Sequence, residues 1–153
     1  MSYSFQFSPY RRRFKRPLTT HHGVWSVREG VILRLASATG AIGWGEIAPV
    51  PWFGSETVEQ ALAFCCQLPT DLSESEILLV PDSLPACQFG LESAWEEIQN
   101  SKFKIQNSKS PALSYSRLLP AGEAALSAWK MLHQQGFRTL KWKIGVEPIA
   151  QEL

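Results

Sequence analysis

The segment from Tyr115 to Ile144 constrains the fold most, because it has the order strand, helix, strand. A short apolar stretch, Tyr115–Leu119, precedes a helical pattern over Glu123–Gln135, and the residues from Phe137 onward alternate as a second strand. This order predicts a βαβ unit with two parallel strands. The positions expected to face its core from the helix are Ala124, Ala125, Ala128, Met131 and Leu132. Parallel strands are normally covered on both faces, so two of them make an incomplete sheet.

The first part of the chain follows an antiparallel pattern instead. Residues Tyr3–Phe14 alternate as a strand, and two further strands, Gly30–Ala36 and Ala41–Ile47, are separated by a short turn. The segment between the first two strands, Pro17–Gly23, is rich in turn-forming residues and is expected to be a loop. Helical patterns follow over 55–67 and 83–98. We therefore expect an antiparallel meander with helices packed on it.

Composition excludes several classes of protein. The 153 residues are 44% apolar and 19% charged, which is typical of globular proteins and unlike a disordered chain. No apolar run approaches the ~20 residues of a membrane span, and the N-terminus lacks the pattern of a signal peptide. The length is also well below the roughly 250 residues of a complete (β/α)8 barrel. Three cysteines without metal-ligand spacing predict reduced thiols and a cytoplasmic protein.

A cluster of basic residues near the N-terminus has two interpretations. It contains Arg11, Arg12, Arg13, Lys15 and Arg16, five of the 15 basic residues. Such residues protect a free strand edge against pairing with another chain, or they attract an anionic substrate. No stacking platform or nucleic-acid-binding motif accompanies them, so a nucleic-acid partner is not expected.

A short repeat divides the two patterns. The sequence Gln99-Asn-Ser-Lys102 recurs as Gln106-Asn-Ser-Lys109, and both copies are polar. We expect residues 99–110 to form a low-complexity inserted loop between two modules.

Two lysines on the second strand of the βαβ unit are candidates for proton transfer. Lys141 and Lys143 are two residues apart, so both side chains point to the same face, and Trp142 is expected to point into a core. Repulsion between the two ammonium groups favours the neutral amine of one of them, which can act as a general base. The alternative is a solvent-exposed strand face coated with lysine. Charged groups are costly inside a covered parallel strand, so the residues alone give the functional role and this alternative about equal weight.

The segment from Gly43 to Thr57 is the second candidate. Its glycines, Gly43 and Gly45, permit close approach of another backbone. A loop flanked by prolines then carries Trp52 and Phe53. Their rings are suited to cover a small ligand or, alternatively, to fill a core beneath the loop. Glu46 is either a catalytic acid or a satisfied strand carboxylate, and we favour the second interpretation. His21 and His22 are adjacent on an extended chain and face apart, so we do not expect them to share a metal ion.

Four segments together resemble the o-succinylbenzoate synthases of the enolase superfamily. They are Gly43–Glu59, Pro85–Ala94, Leu119–Gly122 and Leu140–Gly145. The resemblance implies an α+β capping domain over residues 1–113, made of an antiparallel meander and helices. It also implies that residues 114–153 form the first βαβ unit of a truncated (β/α)8 barrel.

The resemblance also implies roles for individual residues. Lys143 would transfer the proton alpha to a carboxylate, and Lys141 would help to hold the charge and tune Lys143. Two loops would close over the substrate, with His21, His22 and Gly23 in the first and Pro51, Trp52, Phe53 and Ser55 in the second.

The reaction implied is that of a lyase acting on a small-molecule carboxylate. A succinyl-cyclohexadiene carboxylate is dehydrated to o-succinylbenzoate, a step of menaquinone and phylloquinone biosynthesis, and Mg2+ stabilises the enediolate intermediate. The family's three carboxylate ligands and its opposing lysine belong to later barrel strands, which are expected to lie beyond Leu153. No metal ligand is therefore assigned within these 153 residues, and the chain is expected to be a fragment that is inactive alone.

Two alternatives stay open. Dipeptide epimerases, acylamino-acid racemases and muconate cycloisomerases of the same superfamily share the capping domain and the Lys-x-Lys strand, although the run Trp44-Gly-Glu-Ile-Ala-Pro-Val-Pro51 favours the synthase. The other alternative is a non-catalytic remnant or interaction module. Its exposed strand edges would pair with a second copy or with another polypeptide.

Overall fold

The computed structural model describes residues 2–20, 22–102, 114–142, 144, 148 and 150. The chain forms two compact units, residues 1–106 and 107–153. The domain boundary expected at residue 113 stays a prediction. No helix within the described residues is both long enough and apolar enough to span a membrane.

The first unit contains a four-stranded antiparallel sheet. Its strands are β1 (Ser2–Thr20), β2 (Gly23–Ser37), β3 (Ile42–Ile47) and β4 (Asp71–Ser73), in the order β3-β2-β1-β4. The predicted meander is confirmed. The sequence analysis missed β4, which pairs with the first residues of β1.

The loop expected over Pro17–Gly23 was wrong for most of its length. Leu18, Thr19 and Thr20 pair with the start of β2, and the pairing shifts between Arg13 and Leu18. Pro17 lies within that interruption, where its missing N–H costs no ladder hydrogen bond. The hairpin therefore extends beyond the proline to the residues just before Gly23.

Three helices complete this unit: α1 (Val58–Gln67), α2 (Glu74–Leu78) and α3 (Pro85–Lys102). Thr57 and Gln60 form a capping box at the start of α1, so the helix begins later than the predicted Ser55. The sequence analysis missed α2, although Ser73 and Glu76 form the same kind of cap there. The helices bury alternate residues of the sheet, and the core includes Tyr3, Phe5, Val31, Leu33, Leu35, Ile47, Ala61, Cys65, Leu91, Ala94 and Ile98.

Helix α3 lies directly against the backbone of β3. A Cβ atom placed on Gly43 would be 1.8 Å from the carbonyl oxygen of Ala94, and one placed on Gly45 would be 2.0 Å from that of Gly90. Both distances are far below van der Waals contact, so these positions require glycine. The predicted close backbone approach at Gly43 and Gly45 is confirmed.

Helix α3 also continues further than expected. It runs through Lys102, so the first four residues of the predicted 99–110 loop are helical, and residues 103–110 lie outside the described residues. The side-chain amide of Gln99 donates to the hydroxyl of Tyr3 at 2.9 Å, which ties this last turn to the core. That tertiary contact outweighs the loop-like composition.

The second unit contains the predicted βαβ arrangement. Strand β5 (Arg117–Leu118) pairs in parallel with β6 (Leu140–Lys141), and α4 (Ala124–Gln134) connects them. Helix α4 buries Ala125 and half-buries Ala128 and Leu132. Ala124 and Met131, which were expected to face inward, are exposed because the inward stripe is centred on positions 125, 128 and 132. Trp142 is 39% exposed, so its predicted place in a core was also wrong.

The three cysteines differ in their expected reactivity. Cys65 and Cys87 are buried thiols and Cys66 is exposed. Burial raises the pKa of Cys65 to about 12. Burial, and secondarily a hydrogen bond with the Glu56 carboxylate, raises the pKa of Cys87.

We expect a thiol reagent at mildly alkaline pH to modify Cys66 at least about 100-fold faster than the other two in the folded chain, because the thiolate is the reactive form. Peptide mass spectrometry after timed labelling measures this ratio. All three cysteines should react at similar rates in denaturant. Rapid modification of Cys65 or Cys87 under native conditions would contradict the buried placement.

Candidate functional site

Rings from two separate loops come together in the first unit. The imidazole of His22 lies 6.1 Å from the ring of Trp52 and 6.5 Å from that of Phe53, measured between centroids. Trp25 packs perpendicular to Trp52 at 4.9 Å, and Phe14 packs against Trp25 at 5.2 Å. We call these five residues the aromatic cluster. The two predicted substrate loops are thus in contact, although His21 lies outside the described residues.

The second loop has a defined conformation. Pro51–Phe53 form a single 3-10 turn, and the hydroxyl of Ser55 accepts a hydrogen bond from the Val50 N–H at 2.7 Å. Phe53 is 83% exposed, whereas Trp52 is half-buried against Trp25. The interpretation of Phe53 as part of a core is therefore wrong, and its ring is accessible to a ligand.

Arg28 of β2 holds the chain that leads into this loop. Its guanidinium donates to the carbonyl oxygen of Pro49 at 2.8 Å and to that of Ala48. The same group lies 5.1 Å from the ring centroid of Trp25, within the range of a cation–π contact. The sequence analysis assigned no role to Arg28 or Trp25, because their partners are distant in the sequence.

Glu56 holds the other end of the loop. Its carboxylate is buried, with 4% of the residue exposed, and it accepts hydrogen bonds from the N–H groups of Ala86 at 3.0 Å and Cys87 at 2.7 Å. These donors belong to the first turn of α3, which has no partners for them within the helix. The negative charge also interacts favourably with the positive end of the helix dipole. The loop is therefore fixed to β2 before its tip and to α3 after it.

We expect Glu56→Ala to lower the free energy of unfolding by about 2–3 kcal/mol, because it leaves the buried N–H of Cys87 and the half-buried N–H of Ala86 without an acceptor. Glu56→Gln keeps one acceptor oxygen and should cost less. Urea unfolding followed by circular dichroism measures both. Glu96→Gln, at an exposed glutamate in the interior of α3, is the matched control and should leave the midpoint nearly unchanged. Equal midpoints for Glu56→Ala and Glu96→Gln would contradict the capping role.

The neighbouring carboxylate, Glu46, accepts a hydrogen bond from the hydroxyl of Tyr10. Partial burial, and secondarily this hydrogen bond, raises the pKa of Tyr10. Glu46 is therefore a satisfied strand carboxylate, as expected.

The basic cluster lies on a free stretch of β1. Strand β4 pairs only with Ser2, Tyr3 and Ser4, so in the described part of the chain residues 11–16 have no strand on that side. Arg11 forms an exposed ion pair with Glu29 at 3.0 Å. This is the position that the strand-edge interpretation requires.

Comparison with known proteins identifies the family. The sequence profile of the family described as "MenC, N-terminal domain" matches residues 6–98, which is more than half of the chain. The chain belongs to this family. The matched segment includes the Pro51–Ser55 loop, Arg28, Glu56 and most of α3.

One relative extends the similarity into the second unit. The o-succinylbenzoate synthase of Thermosynechococcus vestitus is 40% identical over 142 residues, which cover 93% of this chain and 42% of the relative. The synthase of Edwardsiella ictaluri is 35% identical over 88 residues, or 56% of this chain and 26% of the relative. The chain thus spans less than half the length of these relatives.

Solved structures show the same relationship. The crystal structure of o-succinylbenzoate synthase from Thermosynechococcus elongatus BP-1, complexed with Mg in the active site, matches with a TM-score of 0.83 and 39% identity over 97% of this chain and 45% of that one. The L-Ala-D/L-Glu epimerase of Bacillus subtilis matches with a TM-score of 0.71 at 19% identity, which shows a shared fold alone. The antiparallel sheet with helices is therefore the capping domain of an enolase-superfamily protein, and the parallel pair begins a barrel.

The lysine pair of the second unit is described only in part. Lys141 ends β6, is paired with Leu118 and is exposed. Lys143 lies outside the described residues, so its role stays a prediction.

The described side chains do not supply the metal site that the family implies. Within residues 2–20, 22–102 and the described positions after 113, no three His, Cys, Asp or Glu side chains are grouped so that they could hold a metal ion. These residues do not form a Mg2+ ligand set. Leu153, beyond which the family's ligands were expected, itself lies outside the described residues, so that placement of the ligands stays a prediction.

Proposed function

We propose that this chain provides the capping domain and the first barrel elements of an o-succinylbenzoate synthase. The proposed reaction is the dehydration of a succinyl-cyclohexadiene carboxylate to o-succinylbenzoate, for menaquinone or phylloquinone biosynthesis in the cytoplasm. The observation that carries this proposal is the 40% identity to a synthase over 93% of the chain, since a match of that length includes residues from both units. Mg2+ is the proposed cofactor because it occupies the active site of the solved relative, and the residues described above do not supply its ligands.

The aromatic cluster is suited to cover such a substrate. The exposed face of Phe53 offers apolar contact to a carbocyclic ring and would shield a bound substrate from water. The Pro51–Ser55 loop is fixed by hydrogen bonds to β2 and α3, so little of its conformational entropy is lost when the substrate binds.

The lysine pair would perform the proton transfer. The amine of Lys143 takes the proton alpha to the substrate carboxylate, and the positive charge of Lys141 favours the neutral form of Lys143 before the reaction. The protonated amine of Lys143 then returns this proton to the substrate hydroxyl group as its C–O bond breaks, so water leaves and the cyclohexadiene becomes an aromatic ring.

Complementation tests this function in cells. The complete gene that contains this sequence should restore quinone synthesis in a bacterium that lacks o-succinylbenzoate synthase. An allele with Lys143→Ala is the matched control and should not restore it. Failure of the unaltered gene, with normal protein levels, would refute the proposed function.

A further inference from the structure

We propose that Arg28 is the positioning residue that fixes the aromatic cluster over the substrate. This inference rests on the proposed function, because it assigns a task to the loops in that reaction. Arg28 lies on β2, and its side chain contacts both the chain that enters the Pro51–Ser55 loop and a ring that packs against the tip of that loop.

The first set of contacts fixes the base of the loop. Two guanidinium nitrogens of Arg28 donate to successive carbonyl groups, those of Ala48 and Pro49, between the end of β3 and the 3-10 turn. A planar group with several fixed donors suits this pair of acceptors, whereas a lysine ammonium is a compact point charge on a flexible stem. Pro49 is buried, so its carbonyl oxygen has poor access to water if the guanidinium is removed.

The second contact extends from Arg28 to the tip of the loop. The guanidinium lies over Trp25, whose ring packs perpendicular to Trp52 at 4.9 Å, and Trp52 in turn lies 6.1 Å from His22. Arg28 thus holds the base of the Pro51–Ser55 loop in place. It also holds the ring of Trp25, which packs against Trp52 in that loop. Loss of Arg28 should therefore affect both loops together.

Arg28 also has neighbours on β1. Arg12 lies directly opposite Arg28 in the β1–β2 ladder, and like charges in that arrangement are destabilising. Arg28 also interacts favourably with the hydroxyl of Tyr10 on β1. Because these two effects on the hairpin are opposed, the stability of each Arg28 variant is measured beside its loop order, and cooperative unfolding near the unaltered midpoint excludes a weaker pairing of β1 with β2.

Circular dichroism of this chain tests the positioning directly. Two indoles packed as closely as Trp25 and Trp52 give an exciton couplet in the far ultraviolet, and its loss in Trp52→Phe would identify its source. We expect Arg28→Met to lose most of the couplet while it still unfolds cooperatively, and Arg28→Lys to keep part of it. Arg34→Met is the matched control. Arg34 shares the strand and face of Arg28 but donates to Gln6 at 3.3 Å, and its variant should keep the full couplet.

Kinetics of the complete active protein provide the second measurement. Arg28→Met should raise KM by about tenfold with a smaller change in kcat, because substrate binding weakens while the proton-transfer groups are unaltered. An unchanged couplet in Arg28→Met, or an unchanged KM, would overturn this inference. If the unaltered protein does not convert the substrate at all, the proposed function fails, and the dichroism result still decides the role of Arg28.

Discussion

Replacing Gly45 with alanine is expected to lower the free energy of unfolding of the first unit by about 3 kcal/mol, the upper end of the usual cost of overpacking a core. The new methyl group would lie 2.0 Å from the carbonyl oxygen of Gly90, and the obstructing atom is helix backbone that cannot rotate away. Helix α3 would have to move off β3 and disturb the buried contacts of Leu91, Ala94 and Ile98 with the sheet. The loss is a large share of the roughly 5–15 kcal/mol that stabilises a typical domain.

Urea unfolding of the 153-residue chain measures this effect, and Gly40→Ala is the matched control. Gly40 has a φ of 83° in the turn between β2 and β3, with no atom within 4 Å of an added Cβ. Its replacement costs only the strain of a left-handed backbone, about 1–2 kcal/mol. A Gly45→Ala variant as stable as Gly40→Ala would show that α3 does not lie against β3 as described.

Replacing Lys143 with alanine is expected to lower kcat for dehydration in the complete protein by about 10²–10⁴-fold, the usual contribution of a general base. The exchange of the substrate's alpha proton with solvent deuterium should fall by a similar factor, which assigns the defect to proton transfer. Lys141→Ala should act differently. It removes a neighbouring positive charge, so the neutral amine of Lys143 becomes less favoured and the activity–pH profile moves to higher pH.

Lys130→Ala is the control for these two variants. Lys130 is an exposed lysine of α4 in the same unit, and its loss should leave both kcat and the pH profile unchanged. If Lys143→Ala retains more than about a tenth of the activity, proton transfer belongs to another residue.

The elements predicted well were those whose signal is local in the sequence. Alternation over Tyr3–Phe14 and the apolar runs on either side of the turn at Gly40 determine the meander and its buried face. The glycines of β3 indicated a close approach of backbone, and the structure identifies α3 as the element that approaches. Alternation likewise predicted the second strand of the βαβ unit, which follows Gly136. Its paired part, β6, is shorter than expected.

The elements predicted poorly depend on contacts between distant residues. Pro17 indicated a loop, yet pairing with β2 resumes at Leu18 because the bulge accommodates the proline. Arg28 and Glu56 bind backbone groups 20 to 31 residues away, and nothing beside them in the sequence indicates those partners. The loops were recognised as candidates from their residue types, while the two charged side chains that hold them became apparent only in three dimensions.

The most direct measurement is the specificity of the purified complete protein in the presence of Mg2+. We predict formation of o-succinylbenzoate from the succinyl-cyclohexadiene carboxylate, with kcat/KM well above that for epimerisation of an L-Ala-Glu dipeptide measured on the same preparation. A preparation that epimerises the dipeptide and does not form o-succinylbenzoate would contradict the account, even though its fold would be the same.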